Sequence, residues 1–411
     1  MRKLSIFGSH LSDYSNVISE GLHETNAVDD GIMIEETKNI NNIEELIFNG
    51  VHLYVSTPFY QNPQKICKKS SQYDTIFLPC VKSDFLPRTN FSPKQKGNSY
   101  ESYIKGFVVG QDIEGNDMYD NWISYYKVGL RKMLDPGMER TLICSLLPPM
   151  SSHTNGVISA IFKNNETAVE LTGLLSSLTM DFFMKTAASQ NMTSGRFSTL
   201  PLGISNIFTT SLFVRTLLLN CLTKHYADLW QKMWKDEYKQ ETWSIEDNRL
   251  KPFALLTDQW QWATPLRNYF ERRQALVEID VIATMALGLS LQDLEMIYTI
   301  QFPVLQQNEN DTWYDAEGKI VFTCSKGLTG VGLDRKRNNK TGMLGWEDIR
   351  GEQIDENTYA GTSPTHTHTI APAKSELYGG QQQTFVAPYT RCDRIADYRT
   401  AWAHFEKIFN E

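Results

Sequence analysis

The stretch WQWATPLRNYFERRQALVEIDVIATMALGLSLQDLEMIYTIQFPVL, residues 260–305, has the strongest structural pattern in this 411-residue chain. It leads into NENDTWYDAEGKIVFT (308–323) and then into the basic, glycine-rich SKGLTGVGLDRKRNNK (325–340). The pattern predicts a buried helix from Leu266 to Leu287 that is almost wholly apolar after Gln274, followed by a capped second helix, an aromatic hairpin and a loop. The best local order of the chain therefore adjoins the loop that is best suited to contact phosphate.

Two carboxylates inside the predicted buried helix need partners. Glu278 and Asp280 are two positions apart, about 200° around a helix, so they face opposite sides and cannot form a local catalytic pair. Buried carboxylates require partners. We therefore expect structural ion pairs, with Arg267, Arg272 or Arg273 as the partners.

The remaining pattern predicts a mixed α+β fold. Its N-terminal part is rich in strands and loops, its middle is helical, and its C-terminal part is rich in hairpins and loops and closed by a helix over 395–409. Helices are also predicted over 42–48, 121–136 and 211–238, and a short apolar strand over 139–150. We divide the chain into an acidic lead-in or docking segment (1–50), a basic strand and loop region (51–165), a helical scaffold region (166–300) and a region with the hairpin, basic loop and closing helix (301–411).

Composition is that of an ordinary globular protein, with 41% hydrophobic and 21% charged residues. No apolar run approaches the roughly 18 residues that span a membrane, and the start lacks the apolar core of a signal peptide. We therefore expect a cytoplasmic protein. The six cysteines are scattered without a CxxC pair, which favours reduced thiols over a zinc site or a disulfide framework.

Charge is distributed unevenly along the chain. The net charge is −8, and residues 1–50 hold nine acids against three bases. Residues 65–96, in contrast, hold seven bases against two acids. An acidic protein can therefore still present a basic face, because the local field depends on where the charges lie.

The basic loop at 325–340 is the strongest candidate for an anion site. Its glycines let backbone amides approach an anion, and its cations neutralise it. The loop is neither a Walker A motif nor GxGxxG, so contact with DNA phosphate is favoured over contact with a nucleotide; a merely solvated basic loop is the alternative. The candidate cations are Lys326, Arg335, Lys336, Arg337 and Lys340.

Motifs for catalysis and metal binding are weak. Glu317-Gly318-Lys319 offers the E-x-K half of a nuclease site, but its glycine belongs to the predicted hairpin turn. His366 and His368 would share one face of a strand, yet no further ligand is near them in sequence. We therefore predict neither a catalytic residue nor a metal site.

The chain also lacks the motifs for S-adenosylmethionine-dependent methylation of a DNA amino group. That chemistry needs a glycine-rich cofactor turn after a strand and an Asn/Asp-Pro-Pro-aromatic loop. The nearest strings are STPFY (56–60) and LPPM (147–150), and neither supplies the Asn or Asp that accepts the amino hydrogens. We infer that the chain has no methyl-transfer centre or cofactor site of its own.

Several long stretches resemble the C-terminal part of large bacterial adenine-specific DNA methyltransferases from restriction-modification and phage-defence systems of the DISARM or BREX kind. The resemblance covers most of residues 50–405. Residues 171–202 are similar to the target-recognition domain of TaqI-like and type IIG adenine methyltransferases. The stretches that carry the resemblance are VHLYVSTPFYQNPQKICKKSSQYDTIFLP (51–79), DFLPRTNF (84–91), ERTLICSLLPPMSSHTNG (139–156), MDFFMK (180–185), RRQALVEIDVIATMALGLSLQDLEMIYTIQFPVL (272–305), NDTWYDAEGKIVFTCSKGLTGVGLDR (310–335) and FVAPYTRCDRIADYRTAW (385–402).

The resemblance implies a DNA target-recognition (specificity) subunit or fragment that binds double-stranded DNA for a separate or preceding adenine-N6 methyltransferase. The catalytic partner would bind S-adenosylmethionine, and a helicase or nuclease of the same system is a further possible partner. The alternative is an assembly module with little direct DNA contact. The cations expected to contact DNA, beyond those of the basic loop, are Lys68, Lys69, Arg88, Lys185 and Arg196.

Overall fold

A computed structural model describes residues 2–410 except 6, 15, 70, 95–99, 101–104, 112, 187–189 and 373. Helices and strands form separate parts of the chain, so the predicted α+β class is confirmed. The cysteines form no disulfide with one another in the described structure, and Cys144 and Cys221 are buried in the core. Within the described ranges, no helix has the length and apolarity that crossing a bilayer requires.

The N-terminal half is built from short strands around one antiparallel sheet in the order β1-β14-β11-β12. Residues 1–50 join it, because β1 pairs with β14 and Leu4 and Leu11 lie in the main core. The strands are β1 Asn16–Ser19, β2 Met33–Lys38, β3 Ile47–Phe48, β4 Leu53–Tyr54, β5 Thr57–Pro58, β6 Gln61–Pro63, β7 Tyr73–Thr75, β8 Thr89–Pro93, β9 Lys105–Gln111, β10 Asp117–Asn121, β11 Lys127–Arg131, β12 Cys144–Leu147, β13 Ser152–His153 and β14 Val157–Phe162.

The helices of the middle region pack on that sheet and share its core. The helices described are α1 Arg2–Ser5, α2 Glu24–Asp29, α3 Asn165–Ser176, α4 Leu178–Thr186, α5 Ser194–Phe197, α6 Asn206–Asn220, α7 Ala227–Met233, α8 Tyr269–Ala286, α9 Leu291–Gln301, α10 Pro303–Asn310, α11 Trp346–Ile349 and α12 Arg394–Asn410. Helix α12 closes the chain as predicted and returns to pack on α8.

The C-terminal part has a five-stranded sheet in the order β16-β15-β21-β18-β17 and a separate hairpin, β19-β20. Its own small core contains Trp313, Phe322, Trp346 and Tyr389. The predicted aromatic hairpin is confirmed as β15 and β16. The strands are β15 Trp313–Tyr314, β16 Ile320–Phe322, β17 Gln353–Asp355, β18 Thr358–Tyr359, β19 Thr365–Thr369, β20 Gln382–Val386 and β21 Tyr389–Thr390.

Three predicted helices are wrong or shorter than expected. Residues 121–136 contain β11, a central strand paired with both β12 and β14, because pairing on both edges outweighs the local helical pattern. Residues 42–48 end instead in β3, which pairs in parallel with β13. The helix expected over 211–238 stops at Asn220, whose side chain accepts the Leu146 amide proton at 2.9 Å; α7 begins again at Ala227.

The predicted buried helix is confirmed as α8. The Asn268 side chain caps its start by accepting the Glu271 amide proton at 2.7 Å. Gly288 follows its end with φ of +71°, the left-handed conformation that glycine adopts without a steric penalty. Side chains are buried around the whole circumference, so α8 runs through the middle of the molecule.

Glu278 and Asp280 face opposite sides of α8 and form structural ion pairs, as predicted, but the expected arginine partners are wrong. Glu278 pairs with Arg215 of α6 at 2.6 Å, and both side chains are fully buried. Asp280 accepts hydrogen bonds from Arg394 at 2.8 Å and from the Tyr398 hydroxyl at 2.6 Å.

The three arginines expected as partners bond elsewhere. Arg267 and Arg272 donate to main-chain carbonyl oxygens, which their long side chains reach from the start of α8. Arg273 pairs with Glu309 at 3.2 Å and with Asp397 at 2.6 Å.

Removal of Arg215 should expose the cost of an unpaired buried charge. We expect Arg215→Met to lower the free energy of unfolding by about 3–5 kcal/mol, because Glu278 would stay buried without its cation. Urea denaturation measures this change. The matched control, Lys232→Ala, breaks an ion pair whose side chains are 63% and 60% exposed, and it should cost less than about 1 kcal/mol. Equal costs for the two variants would contradict the structural role of the Arg215–Glu278 pair.

Candidate functional site

The glycine loop, residues 325–340, leaves β16 and folds back against it. A short 3-10 turn covers Lys326–Leu328, and Gly330 and Gly332 have φ of +85° and +73°. At Gly332 a Cβ would lie 2.6 Å from the Val321 carbonyl oxygen, so only glycine fits this approach. The close approach at Gly332 thus fixes the loop against β16.

The five cations of the glycine loop fall into two groups. Arg335 pairs with Asp311, and Arg337 pairs with Asp348 at 3.3 Å. In contrast, three exposed lysines form no ion pair with any described residue. These are Lys326, Lys336 and Lys340.

A groove, here called the loop groove, separates the glycine loop from β7. Lys326, Arg335 and Lys374 are among its lining residues, and the Thr75 hydroxyl bridges it by donating to the Thr329 carbonyl oxygen at 2.7 Å. Lys374 is paired with Asp334 at 2.5 Å. The loop groove therefore has cations on the loop side and a short strand as its opposite wall.

A second groove, here called the lysine groove, is lined by residues of the N-terminal region. Lys68 and Lys69 are exposed on its wall, and the Tyr73 side chain lines both grooves. The acids Glu35 and Glu36 face it from β2. Tyr73 is thus common to two grooves, each of which holds cations of a basic segment that the sequence singled out. Lys96 of the same basic stretch lies outside the described residues.

Arg88 is engaged within the protein. Its guanidinium donates to Asn39, to the Pro63 carbonyl oxygen and to Glu376, at distances of 2.8, 3.0 and 2.9 Å, and its side chain is 11% exposed. Arg88 therefore ties the N-terminal strands to the C-terminal region, and a phosphate could reach it only by displacing Glu376.

Lys185 and Arg196 lie on other elements. The Lys185 ammonium sits 4.7 Å from the centre of the Phe302 ring, at the start of α10, and burial lowers the pKa of this lysine. Asp311, the partner of Arg335, follows the other end of α10. The eight residues of this helix separate its two ends by roughly 12 Å. Arg196 is half-buried on α5, close to Ser194, which bonds Glu20 at 2.6 Å.

A cavity of about 130 Å³ lies where the N-terminal strands, α8 and the C-terminal hairpin meet. We call it the central cavity. Four tyrosines from these three parts of the chain contribute to its lining, together with aliphatic side chains. These are Tyr54, Tyr60, Tyr269 and Tyr314.

Glu139 is a carboxylate in the lining of the central cavity that bonds neutral donors. Its Oε2 accepts hydrogen bonds from Asn308 at 2.6 Å and from the Ser325 hydroxyl at 2.5 Å. It has no ion pair with a described residue, and burial raises the pKa of its carboxyl group. Ser325 begins the glycine loop, so Glu139 joins the cavity to that loop.

Two buried donors of the central cavity are unsatisfied within the described structure. Nη2 of Arg273 makes no hydrogen bond, and neither does the Tyr60 hydroxyl, although the Thr75 hydroxyl is close to it. Arg272 bonds only carbonyl and hydroxyl oxygens of described residues, and burial lowers its pKa to about 10. Buried polar atoms without partners are uncommon and indicate a place for a polar ligand or water.

The central cavity was not predicted from the sequence. One local signal was available. Residues 267–273 of the predicted buried helix contain three arginines, Arg267, Arg272 and Arg273, but only one acid, Glu271. Such an excess of buried cations indicates a site built from distant partners. The other lining groups come from positions between 54 and 394 and have no common motif.

The remaining catalytic and metal candidates gain no further ligands. Lys319 pairs with Glu317 at 2.5 Å within the hairpin turn. His366 and His368 lie on β19, and the part of the chain that the structure describes holds no group of three residues able to bind a metal. The site therefore offers cationic grooves and a polar cavity as its main chemical features.

No protein-family model matches the chain, and no curated protein matches it significantly.

His52 is a buried histidine that positions the main chain at Arg88. Its Nδ1 accepts the Asn49 amide proton at 3.0 Å, so Nε2 carries the ring proton and donates to the Arg88 carbonyl oxygen at 3.0 Å. Burial lowers the pKa of His52 to about 4. The imidazole is therefore neutral in the folded protein at neutral pH.

Stability should therefore fall on acidification through His52. The pKa of His52 is about 6.5 in an unfolded chain and about 4 in the folded protein. Between these two pH values the unfolded state binds a proton and the native state does not, so acidification favours unfolding. Between pH 7 and pH 5 this linkage costs roughly 2 kcal/mol. His52→Gln keeps a donor toward Arg88 without titrating and should lose about 2 kcal/mol less than the wild type. Urea denaturation at both pH values tests this, and equal losses would contradict it.

Proposed function

We propose that the chain is a DNA target-recognition (specificity) subunit or fragment that binds double-stranded DNA for an adenine-N6 methyltransferase of a restriction-modification or phage-defence system. The observation that carries the proposal is the set of three exposed lysines on the glycine loop, which form no ion pair with a described residue. Of the three, Lys326 lines the loop groove, and Tyr73 is shared by that groove and the lysine groove with Lys68 and Lys69. The resemblance of residues 50–405 to such methyltransferases suggests adenine-N6 methylation as the reaction for which the chain binds DNA.

In this proposal the lysines of the glycine loop contact phosphate directly, and its arginines do so only by exchanging their carboxylate partners. Lys326, Lys336 and Lys340 are available to neutralise phosphates and release counterions. Arg335 and Arg337 already have carboxylate partners, so a phosphate competes with Asp311 or Asp348 for them. Phosphate contacts position a protein on DNA, whereas sequence is read at base edges.

Base reading is assigned to the region that resembles a target-recognition domain. Arg196 projects from α5, a four-residue helix whose start is capped by Thr193. Lys185 is the candidate cation on α4, and its ammonium group lies over the Phe302 ring. Replacement of a base-reading Arg196 should relax sequence preference, while replacement of a phosphate-binding lysine should weaken all sequences alike.

Catalysis belongs to a partner in this proposal. The partner carries S-adenosylmethionine and the loop that holds the target adenine, and this chain grips the duplex. A helicase or nuclease of the same system would be a further partner. A clear calorimetric signal for S-adenosylmethionine binding to the pure chain would show that the catalytic centre has been assigned to the wrong protein.

The second candidate function is an assembly module with little DNA contact. Two observations favour it: two of the five loop cations are paired with acids, and α9 leaves Met296 and Ile300 49% and 63% exposed one turn apart. Exposed apolar side chains on one helix face suit a protein partner. Tight copurification with a methyltransferase, without a gel shift of duplex DNA at low salt, would favour this candidate.

The three lysines of the glycine loop should dominate the salt dependence of DNA binding. We expect the triple variant Lys326→Glu, Lys336→Glu, Lys340→Glu to bind duplex DNA at least about 100-fold more weakly at low salt. The slope of log affinity against log salt should fall by about 0.9 for each phosphate that the variant no longer neutralises. Fluorescence anisotropy of a labelled duplex across a salt series measures both quantities.

The matched control reverses the same number of charges away from the grooves. Lys224, Lys239 and Lys407 are exposed, lie outside the glycine loop and line neither groove. Their replacement by Glu should change the affinity far less and leave the salt slope nearly intact. If both triple variants weaken binding equally, only the net charge matters and the assignment of the glycine loop is wrong.

A further inference from the structure

We propose that the central cavity is a pocket for a nucleobase that carries an exocyclic amino group. The base comes from DNA held in the loop groove or from a free nucleotide. The DNA source rests on the proposed function, whereas the free-nucleotide source does not. The chemistry that recognises the ligand is the same for both.

The size of the central cavity suits a single flat ring system. Its volume is about 130 Å³, and an engineered protein cavity of about 150 Å³ holds benzene. The volume is too small for a whole nucleotide, so sugar and phosphate would stay outside. Tyrosine rings from three parts of the chain give the aromatic surroundings in which bases stack.

The polar groups of the central cavity match the edge of an amino-bearing base. Glu139 supplies an acceptor without an ion pair in the described structure, and Arg273 and Tyr60 each supply a donor that is unused there. Cytosine, adenine and guanine each present an N–H donor beside a ring nitrogen or carbonyl acceptor. The carboxylate would accept the N–H, and a free donor would bond the neighbouring acceptor.

Thymine fits this arrangement poorly. Its single imide N–H lies between two carbonyl oxygens, and these would face the Glu139 carboxylate oxygens directly. An unpaired acceptor facing a carboxylate is unfavourable in a buried site. The pocket should therefore discriminate against thymine.

The loop groove and the central cavity share one wall. Ile76, Ser325 and Leu328 line both spaces. Gly327 packs so closely on Tyr54 that a Cβ would lie 2.3 Å from the tyrosine hydroxyl. A phosphate bound at Lys326 would thus hold its nucleotide against the Ser325–Leu328 turn, with the base on the cavity side.

Calorimetric titration of the full chain with dCMP, dAMP, dGMP and dTMP tests the pocket. We expect the three amino-bearing nucleotides to bind at least about tenfold more tightly than dTMP, the difference expected for one good polar pair. Glu139→Gln turns the acceptor into an amide that can also donate, so it should reduce or reverse this preference. Glu347→Gln, the same change at an exposed position beside the glycine loop, is the control and should leave the preference unchanged.

The variant Tyr60→Phe tests the pocket with a substitution that should leave folding intact. It removes a hydroxyl that has no hydrogen-bond partner among the described residues while keeping the ring. The melting temperature should therefore stay close to that of the wild type while nucleotide affinity falls several-fold. Absence of nucleotide binding, equal affinity for all four bases, or wild-type behaviour of Glu139→Gln would overturn the pocket.

Duplex binding, measured in parallel, separates this proposal from the proposed function. Salt-dependent DNA binding without nucleotide binding would overturn the pocket and leave the DNA-binding role intact. Selective nucleotide binding without duplex binding would support the pocket with a free nucleotide as its ligand and would count against the DNA-binding role.

Discussion

The buried charges of α8 must be paired, and this requirement organises the packing of the neighbouring helices around it. Glu278 and Asp280 have exposures of 0% and 1%, and an isolated ionised carboxylate in such surroundings is prohibitively costly. Arg215 of α6 and Arg394 of α12 meet this need from opposite sides of the helix. Because breaking one such pair costs far more than a surface contact contributes, these pairs fix the rotation of α8 and the positions of both neighbours.

The same network extends to the candidate site. Arg394 also bonds Glu309 of α10, and so does Arg273 of α8. Burial alone would raise the pKa of Glu309, but these two arginines lower it to about 2. The neighbouring Asn308 donates to Glu139. The glycine loop is therefore held at its base by a helix that the ionic network fixes, and only its outer part is left for binding.

Sequence reasoning succeeded where structure is determined locally. Helix α8 follows from the apolar pattern of a short stretch, as does the hairpin at 313–322. It failed where distant partners decide: β11 is a strand because β12 and β14 flank it. The partners of Glu278 and Asp280 are 63 and 114 residues away, and no spacing rule identifies them. The central cavity was missed for the same reason.

The balance of charge also bears on how the proposed DNA contact would work. Arg335 and Arg337 have acidic partners, and the whole chain has a net charge of −8. Long-range attraction to DNA is then weak, because the acidic remainder of the protein opposes it. Binding must come instead from a few lysines at short range, whose contribution is strongly salt-dependent. Such a protein would be held poorly by random DNA, and its affinity for a target would depend on contacts to bases, made in a groove or in a pocket. That is the property a specificity subunit needs.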